Sequence, residues 1–420
     1  MTVVRTGLAE AAPVGGTGGE FATRWPVLLG ATLGIGVGVI ALPSPAIGVF
    51  MRALQAEFGW TRTEISLGPT ILIGGLALAS PLLGWVADRV SAVWITAVAL
   101  TALAASFVVF SQLGPDIRLY YATFALMAVT ACGAATLVYA RVVSANFVRG
   151  RGLALGLAMV GNGLTGILLP MLLVPYAASA GWRQGFLALA VLVALAAPAV
   201  AFLMSLSRPQ AVAITAAGHA PGVSFDRAVK DRTFWIMALA FALIPLGAGG
   251  LHLHLLAFLA DEGVPPATAG AIAGLGGFAL IVGRVLTGWL IDRAFAPHVA
   301  AGMMAISAAC IGSMGLFGAP AGWLGAVAIG LSIGAELDLI GYLTARYFGM
   351  RAYGRIYGLL YAAVLVGSAM SPLAYGRVSD LTGGYALALF GAAGVLALAA
   401  VLFLTLRRFP EGEAQPSASE

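Results

Sequence analysis

The sequence predicts an all-α integral membrane protein, with twelve transmembrane helices arranged as two pseudo-symmetric six-helix repeats. Three observations lead to this prediction: an apolar composition, a series of long apolar stretches and an internal repeat. Of the 420 residues, 60% are hydrophobic and only 9% are charged, whereas soluble globular proteins contain about 25% charged residues. Lipid is therefore the solvent that suits this chain.

The apolar stretches divide the chain into twelve predicted spans. Each contains roughly the 20 residues that a helix needs to cross the hydrocarbon core. The spans cover residues 25–50, 62–86, 91–112, 118–142, 152–176, 183–205, 233–259, 267–290, 297–318, 321–345, 354–376 and 384–406. Small residues let such helices approach closely, and we interpret Gly34 and Gly38 in the first span as packing residues.

A long polar connection separates the first six spans from the last six. We predict a disordered cytoplasmic N-terminus, an N-terminal bundle, a cytoplasmic linker, a C-terminal bundle and a cytoplasmic tail, at residues 1–24, 25–205, 206–232, 233–406 and 407–420. With both ends in the cytoplasm, most Arg residues fall on cytoplasmic connections, as the positive-inside rule requires. The first apolar stretch is too long for a signal peptide, and we expect a multi-pass protein of the bacterial inner membrane.

The two halves repeat each other. The sequence GWVADR at 84–89 returns as GWLIDR at 288–293, 204 residues later. A second echo, at a constant offset of 202 residues, relates Arg149, Gly152, Gly156 and Pro170 to Arg351, Gly354, Gly358 and Pro372. Two parallel repeats joined by a linker are an architecture of secondary transporters, with the substrate site at the repeat interface.

With its twelve spans and its linker, this repeat resembles the major facilitator superfamily. The resemblance implies transport by alternating access, and it assigns a gating role to the G-x-x-x-D-R motif of each half. The motif charges lie where a short turn meets helix ends, so they can bond to neighbouring helices in one state and release them in the other. The gating residues are Gly84, Asp88, Arg89, Gly288, Asp292 and Arg293; the alternative is loop charge that only sets topology.

Several segments resemble bacterial monocarboxylate and oxalate/formate-type transporters more closely. They are EFGWTRTEIS at 57–66, RGRGLALG at 149–156, and Gly283-Arg284 ahead of the second motif. The resemblance implies proton-coupled transport of a small, monocarboxylate-like organic anion. The eleventh-span Lys that helps to hold dicarboxylates in oxalate transporters is absent between Tyr353 and Arg377, which favours a substrate with one carboxylate.

Four charged residues lie far from the predicted span ends: Arg141, Arg284, Glu336 and Asp338. Charges at such depth are costly, usually paired, and typical of functional sites. Arg141, Arg284 and Asp338 each lie eight residues before a charge at a cytoplasmic span end, so they share a layer roughly 12 Å from that end. Glu336 and Asp338 point about 200° apart on a helix, so we expect one to face the cavity and the other a neighbouring helix.

These four charged residues suggest roles in substrate binding and in proton coupling. We predict that Arg284 binds substrate, because guanidinium offers a planar fork of donors that fits a carboxylate, and the matching Arg of the resembled families binds substrate or takes part in proton coupling. The alternative is a structural ion pair. Asp338 and Glu336 are the predicted proton-coupling residues, since moving a nearby Arg changes the proton affinity of a carboxylate. Arg141 is a second predicted substrate contact, or it holds one of the carboxylates.

Four further side chains are predicted substrate contacts: His254, Asn162, Tyr139 and Tyr361. For each, ordinary helix packing is the alternative. His252 and His254, two residues apart, lie on different helix faces and are poorly placed to share a metal. We predict no metal site, no cofactor and no nucleic-acid partner. The expected partners of the monomer are a small organic anion, protons and the lipid bilayer.

Two other functions compete with this interpretation. One is exchange or export of larger organic acids or drugs, although drug/proton antiporters place an Arg where the fourth span has Val129. The other is a non-transporting membrane sensor, which the lack of a recognisable soluble domain makes less attractive. An enzyme is not predicted, because the sequence contains neither a nucleophile elbow nor a phosphate-binding glycine loop at a membrane surface.

Overall fold

The computed structural model describes residues 17–87, 90–147, 151–207, 222–291, 293–349 and 351–409. Their N-terminal half contains the helices α1 (Thr17–Gly36), α2 (Pro43–Phe58), α3 (Arg62–Ala87), α4 (Ala92–Ser111), α5 (Ile117–Thr130), α6 (Thr136–Asn146), α7 (Arg151–Ala180) and α8 (Trp182–Ser205). After the short α9 (Phe225–Ala228), the C-terminal half contains α10 (Arg232–Asp261), α11 (Pro266–Ile291), α12 (Ala296–Phe317), α13 (Gly322–Phe348), α14 (Tyr353–Thr382) and α15 (Ala386–Leu404).

The helices correspond to the twelve predicted spans, so the all-α membrane fold is confirmed. Within the described ranges, nine helical segments are long and apolar enough to cross a membrane by length and composition. Ten of the predicted spans each match one helix, while the first span corresponds to α1 with α2 and the fourth to α5 with α6.

The first and fourth spans are broken, where the sequence predicts continuous helices. In the first span, α1 ends at Gly36 and α2 begins at Pro43; proline cannot continue a helix but suits its first turn. In the fourth span, α5 and α6 are separated by a 3-10 turn at Cys132–Ala134. A Cβ atom at Gly133 would lie 2.6 Å from Ile95 Cγ2, so this turn packs directly against α4.

Helix α1 begins at Thr17, inside the segment that the sequence predicts to be disordered. Glu20 lies in its first turn and is only 3% exposed. An acidic side chain at this position interacts favourably with the positive end of the helix dipole. The described part of the predicted disordered segment, Thr17–Arg24, is therefore helical; residues 1–16 lie outside the described residues.

The helices define two faces of the bundle. We call the side on which α1 begins and α15 ends the near side, and the opposite side the far side. The two halves pack together through three helix pairs: α3 with α14, α7 with α11, and α2 with α10. The pairs α3–α14 and α7–α11 are related by the internal repeat, since α3 corresponds to α11 and α7 to α14. The interface between the halves therefore has the pseudo-symmetry of the sequence.

The end of the linker is attached to the C-terminal half on the near side. The backbone N–H of Val223 donates to the Phe348 carbonyl at 2.8 Å. Asp231 caps α10 by accepting from the Thr233 N–H at 2.8 Å, and it also binds Arg407 at 2.5 Å. Burial raises the pKa of the Asp231 carboxyl, but hydrogen bonds from Thr233 and the Arg407 charge outweigh this and lower its pKa overall. Residues 208–221 of the predicted linker lie outside the described residues.

Candidate substrate and coupling site

An ion pair between α11 and α13 forms the centre of the candidate site. Arg284 Nε lies 3.3 Å from Asp338 Oδ2, and their side chains are 19% and 39% exposed. The two helices can approach closely because α13 carries glycine at the contact. A Cβ atom at Gly330 would lie 2.3 Å from Ala279 Cβ, and one at Gly334 would lie 2.7 Å from the Leu280 carbonyl oxygen. The common depth of Arg284 and Asp338 in the sequence thus corresponds to a contact.

Glu336 lies on the other side of the same helix. It is 4% exposed, and its Oε1 atom is buried without a hydrogen-bond partner among the described residues. Asp338 is the more open of the two acids of α13, and the expectation that one of them faces the cavity and the other a neighbouring helix stays a prediction. Tyr357 and Tyr361 of α14 lie within electrostatic range of Glu336.

Tyr361 is the deepest member of a stacked series on α14. The Tyr353 and Tyr357 ring centroids are 5.8 Å apart, and those of Tyr357 and Tyr361 are 6.2 Å apart, with interplanar angles of 26° and 15°. Of these three tyrosines, the sequence predicted a role only for Tyr361. The spacing of four residues, which places side chains on one helix face, was the signal for the other two.

The three predicted substrate contacts of the N-terminal half differ in their exposure. Arg141 on α6 is exposed, and Asn162 on α7 is half-buried. Tyr139 is fully buried, its hydroxyl has no partner among the described residues, and a Cβ atom at Gly34 would lie 2.3 Å from its ring. The packing role of Gly34 is thereby confirmed, whereas the substrate contacts of Arg141, Asn162 and Tyr139 stay predictions.

His254 is buried at the contact between the halves. Its Nε2 atom lies 3.0 Å from Ser66 Oγ and 3.1 Å from the Pro372 carbonyl oxygen, and its Nδ1 lies 2.9 Å from the Tyr385 hydroxyl. A carbonyl oxygen only accepts hydrogen bonds, so Nε2 carries the proton and Nδ1 accepts from Tyr385. Both ring nitrogens are therefore occupied by protein in this conformation, and the predicted substrate role of His254 stays a prediction.

His252, two residues earlier on α10, is exposed where His254 is buried. It is exposed into a pocket between the halves that is otherwise lined by apolar residues and glycine. Their spacing predicts that the two histidines lie on different helix faces, and His254 is the one predicted to contact substrate. Periodicity along one helix cannot tell which face meets a cavity, because that depends on the helices packed around it.

A network of ion pairs and hydrogen bonds joins the halves on the far side; we call it the far-side latch. Arg62 of α3 binds the Asp261 carboxylate and donates to Ser379 Oγ at 2.6 Å. Asp380 accepts from the backbone N–H groups of Arg62 and Thr63 at 3.1 and 2.8 Å. The latch consists of Arg52, Arg62, Thr63, Asp261, Ser379 and Asp380.

The predicted gating motifs lie at the near side. Asp88, Arg89 and Asp292 are outside the described residues, and nothing is described of the surroundings of Gly84. A Cβ atom at Gly288 would meet no heavy atom of the described residues within 4 Å. Arg293 donates to the Trp289 carbonyl at 3.0 Å and lies over the Trp289 ring. The gating role of these residues stays a prediction.

Comparison with known proteins agrees with this architecture. A sequence profile described as Major Facilitator Superfamily matches residues 28–372. An "Uncharacterized 38 kDa protein in 23S RNA operon" of Thermoproteus tenax is 32% identical over 256 residues, covering 60% of this chain and 62% of that protein. Monocarboxylate transporter 11 of Homo sapiens is 26% identical over 253 residues, covering 58% and 54%. The chain therefore spans between half and two thirds of the length of these relatives.

A solved structure extends the comparison to the fold. The crystal structure of a bacterial homologue of the human lysosomal transporter Spinster, inward-facing and unoccupied, superposes with a TM-score of 0.68 and 16% sequence identity. The match covers 94% of this chain and 97% of that one, and at this identity it concerns the fold alone. Because the family profile covers most of the sequence, the chain belongs to the Major Facilitator Superfamily and is a multi-pass membrane protein.

Proposed function

We propose that the protein is a proton-coupled secondary transporter of a small organic monoanion. The observation that carries this proposal is the half-buried ion pair of Arg284 and Asp338. A substrate carboxylate can compete with Asp338 for the guanidinium, whose planar donor fork suits either group. Similarity to monocarboxylate transporters at low identity supports the same substrate class.

The displaced carboxylate explains the coupling. When the substrate occupies Arg284, Asp338 loses its counter-charge, and a carboxylate without one in a low-dielectric site favours the protonated form. Substrate and proton then enter together, and the charge of the site is unchanged. Glu336, buried without a partner among the described residues, is a second acid at which a proton is favoured, because an isolated buried charge is costly.

Alternating access follows from the two faces of the bundle. The far-side latch joins the halves at one face, and we propose that the opposite face, the near side, faces the cytoplasm of a bacterial cell. Reporter fusions after Arg232 and after Arg408 are expected to report cytoplasm, and a fusion after Gly263 the outside. Opposite signals at the first two sites would overturn the orientation.

The substrate class is tested at Arg284. Arg284→Lys keeps the charge but removes the fork, so we expect carboxylates to protect the purified protein against thermal unfolding at least tenfold less potently. The matched control is Arg346→Gln, which removes an exposed positive charge from α13 and is expected to leave binding intact. Wild-type transport by Arg284→Lys contradicts carboxylate recognition by the fork, and better uptake of a dicarboxylate than of its monoacid analogue contradicts the substrate class.

The coupling is tested at the two acids of α13. Asp338→Asn is expected to abolish substrate accumulation driven by a pH gradient in proteoliposomes while exchange of substrate persists. Removing one member of an ion pair leaves the other charge unpaired, at a cost of about 3–5 kcal/mol for a fully buried pair and less for this half-buried one, so Asp338→Asn with Arg284→Gln serves as the folding control. Full gradient-driven accumulation by the double variant Asp338→Asn with Glu336→Gln would rule out coupling through these carboxylates.

A further inference from the structure

We infer that His254 is a proton-binding residue of the transport cycle, and that a proton on its ring favours opening of the far side of the bundle. This proton site is separate from the acids of α13, and it does not depend on the substrate class proposed above. With the proposed orientation, the far side faces the external medium. Acid outside the cell then favours the state that is open to that medium.

The charges of the far-side latch are divided between the halves by sign. Its two arginines, Arg52 and Arg62, lie on α2 and α3 of the N-terminal half. Its two carboxylates, Asp261 and Asp380, lie on α10 and α14 of the C-terminal half. Attraction between unlike charges therefore helps to hold the far side closed. A positive charge added to the C-terminal half close to these carboxylates weakens that attraction.

His254 of α10 is placed to add such a charge. Its ring centroid lies 5.4 Å from that of Tyr385, and the Arg62 guanidinium carbon lies 4.5 Å from the centroid of the same tyrosine ring. Arg62 and Asp380 are within electrostatic range of the imidazole. The described polar and titratable groups around the ring are Arg62 and Ser66 of α3, Tyr375 and Asp380 of α14, and Tyr385 ahead of α15. A proton on His254 therefore places a like charge opposite Arg62 across the contact between the halves.

The closed arrangement suits the neutral ring. The Nε2–H group of His254 donates to the Pro372 carbonyl, and Nδ1 accepts from the Tyr385 hydroxyl. A proton on Nδ1 makes this atom a donor, so Tyr385 has to redirect its own hydroxyl proton. Complete burial of the ring and the nearby Arg62 charge both oppose an imidazolium. The proton is therefore bound more strongly once the halves separate and water reaches the ring, and binding that prefers one state shifts the population toward it.

Polar side chains lead from the far-side surface toward the ring. Asp380 is exposed, and the preceding residue of α14, Ser379, accepts from Arg62 at 2.6 Å. Ser379 also lies beside Tyr385, whose hydroxyl is 2.9 Å from Nδ1 of His254. Hydroxyl groups both donate and accept hydrogen bonds, so they can pass a proton along. The proton site is therefore connected to the side of the bundle that it opens.

The experiment measures deuterium uptake by the far-side ends of α3 and α14 between about pH 8 and about pH 5, using the full-length protein in nanodiscs without substrate. Labelling times are scaled to the intrinsic rate of amide exchange at each pH. A water-exposed imidazole takes up a proton near about pH 6.5, so we expect the scaled uptake to be at least about tenfold faster at the acidic end. His254→Gln keeps hydrogen-bonding groups but takes up no proton, and it is expected to remove this pH dependence. His252→Gln is the matched control on the same helix and is expected to keep it.

Arg62→Ala tests the opposition of charges while the histidine stays in place. It is expected to reduce the pH dependence, because the imidazolium no longer faces a like charge, and unfolding temperatures show that each variant folds. Wild-type uptake that is independent of pH, or a pH dependence that persists in His254→Gln, overturns the inference. So does an undiminished pH dependence in Arg62→Ala, or equal losses in His254→Gln and His252→Gln. None of these outcomes affects the proposed function, which is tested separately at Arg284 and Asp338.

Discussion

The helices that join the two halves pack more closely at the far side of the bundle than at the near side. On the far side, α3 meets α14 through the latch, and a Cβ atom at Gly376 would lie 2.9 Å from the Arg62 carbonyl oxygen. At the near ends of α7, α11 and α14, a Cβ atom at Gly156, Gly288 or Gly358 would meet no described heavy atom within 4 Å. Among the described residues, these near ends therefore lack the close contacts that join the halves along the rest of the same helices.

This difference suits the alternating cycle proposed above, because the internal repeat places equivalent residues at corresponding positions of the two halves. Gly156 and Gly358 are equivalent by the 202-residue repeat, and so are Pro170 and Pro372. The two glycines lie in open near-side surroundings, whereas the two prolines lie in closed contacts between helices of the far half of the bundle. In an alternating cycle the free energy of the far-side contacts must be offset by contacts formed at the near side, and small residues at the near ends leave room for them.

The largest effect on the opening of the far side is expected from Arg62→Ala. The variant removes two charge-assisted bonds of the latch, each contributing about 1.5–3 kcal/mol, so we expect far-side opening to become at least about 100-fold more frequent. Faster deuterium uptake by the far-side ends of α3 and α14 in nanodiscs measures this. Arg183→Ala is the matched control, because Arg183 pairs with Glu57 inside one half at 2.7 Å. Equal effects of the two variants would show that the latch does not hold the halves together.

Two glycines of α11 test the asymmetry itself. A Cβ atom at Gly277 would lie 2.4 Å from the backbone of Gly166 in the other half, whereas one at Gly288 would meet none of the described residues within 4 Å. Overpacking costs about 1–3 kcal/mol, so Gly277→Ala is expected to increase far-side exchange about tenfold. Gly288→Ala is expected to leave far-side exchange unchanged or to reduce it. The added methyl group is expected to cost free energy only when the near side closes. The same response from both variants contradicts a one-sided interface.

A smaller effect is expected from Ser66→Ala. The variant removes the hydrogen bond of Ser66 to His254, which contributes about 0.5–1.5 kcal/mol, while the His254 Nε2–H keeps its bond to the Pro372 carbonyl. Far-side exchange should therefore rise only a few-fold. A change as large as that of Arg62→Ala would mean that the histidine cluster, and not the ionic latch, dominates the far-side contact.

The smallest effect on far-side exchange is expected from Asp231→Ala, because the contacts of Asp231 lie within the C-terminal half. Loss of the helix cap is expected to cost about 0.5–2 kcal/mol of stability without changing far-side exchange. Because the pKa of Asp231 is lowered in the folded protein, its contribution is present above the unfolded pKa of about 3.9 and is lost as the pH falls through the folded value. The stability difference between variant and wild type should accordingly shrink only in strong acid. A difference that grows as the pH falls would contradict a lowered pKa of Asp231.

The sequence predicted helix positions well because the length of a span is set by the bilayer. The predicted span 62–86 became α3 (Arg62–Ala87), and 183–205 became α8 (Trp182–Ser205). The breaks after Gly36 and at Cys132 were missed. An apolar stretch predicts burial in lipid but does not show whether neighbouring helices satisfy a freed backbone group, which is what permits a break inside a membrane.

The candidate site was predictable only in part. Arg284 and Asp338 could be paired from their equal distance to a helix end, because the rise per residue of an α-helix is constant. The tyrosines at 353 and 357 followed an i, i+4 pattern that the sequence displays, yet nothing in one helix indicates which partner it meets. The latch was not foreseen, since Arg62, Asp261 and Asp380 lie more than a hundred residues apart between the halves.

The sequence by itself determined the solvent of this protein, the number of its spans, its two-fold repeat and the depth of its buried charges. These properties depend on composition and on regular helix geometry, and both can be counted along the chain. Only the tertiary structure decided that His254 is enclosed between the halves while His252 faces a pocket, and that Glu336 is buried while Asp338 reaches Arg284. The physical reason is that the orientation of a helix about its axis is set by what packs against it, and those partners come from distant parts of the chain.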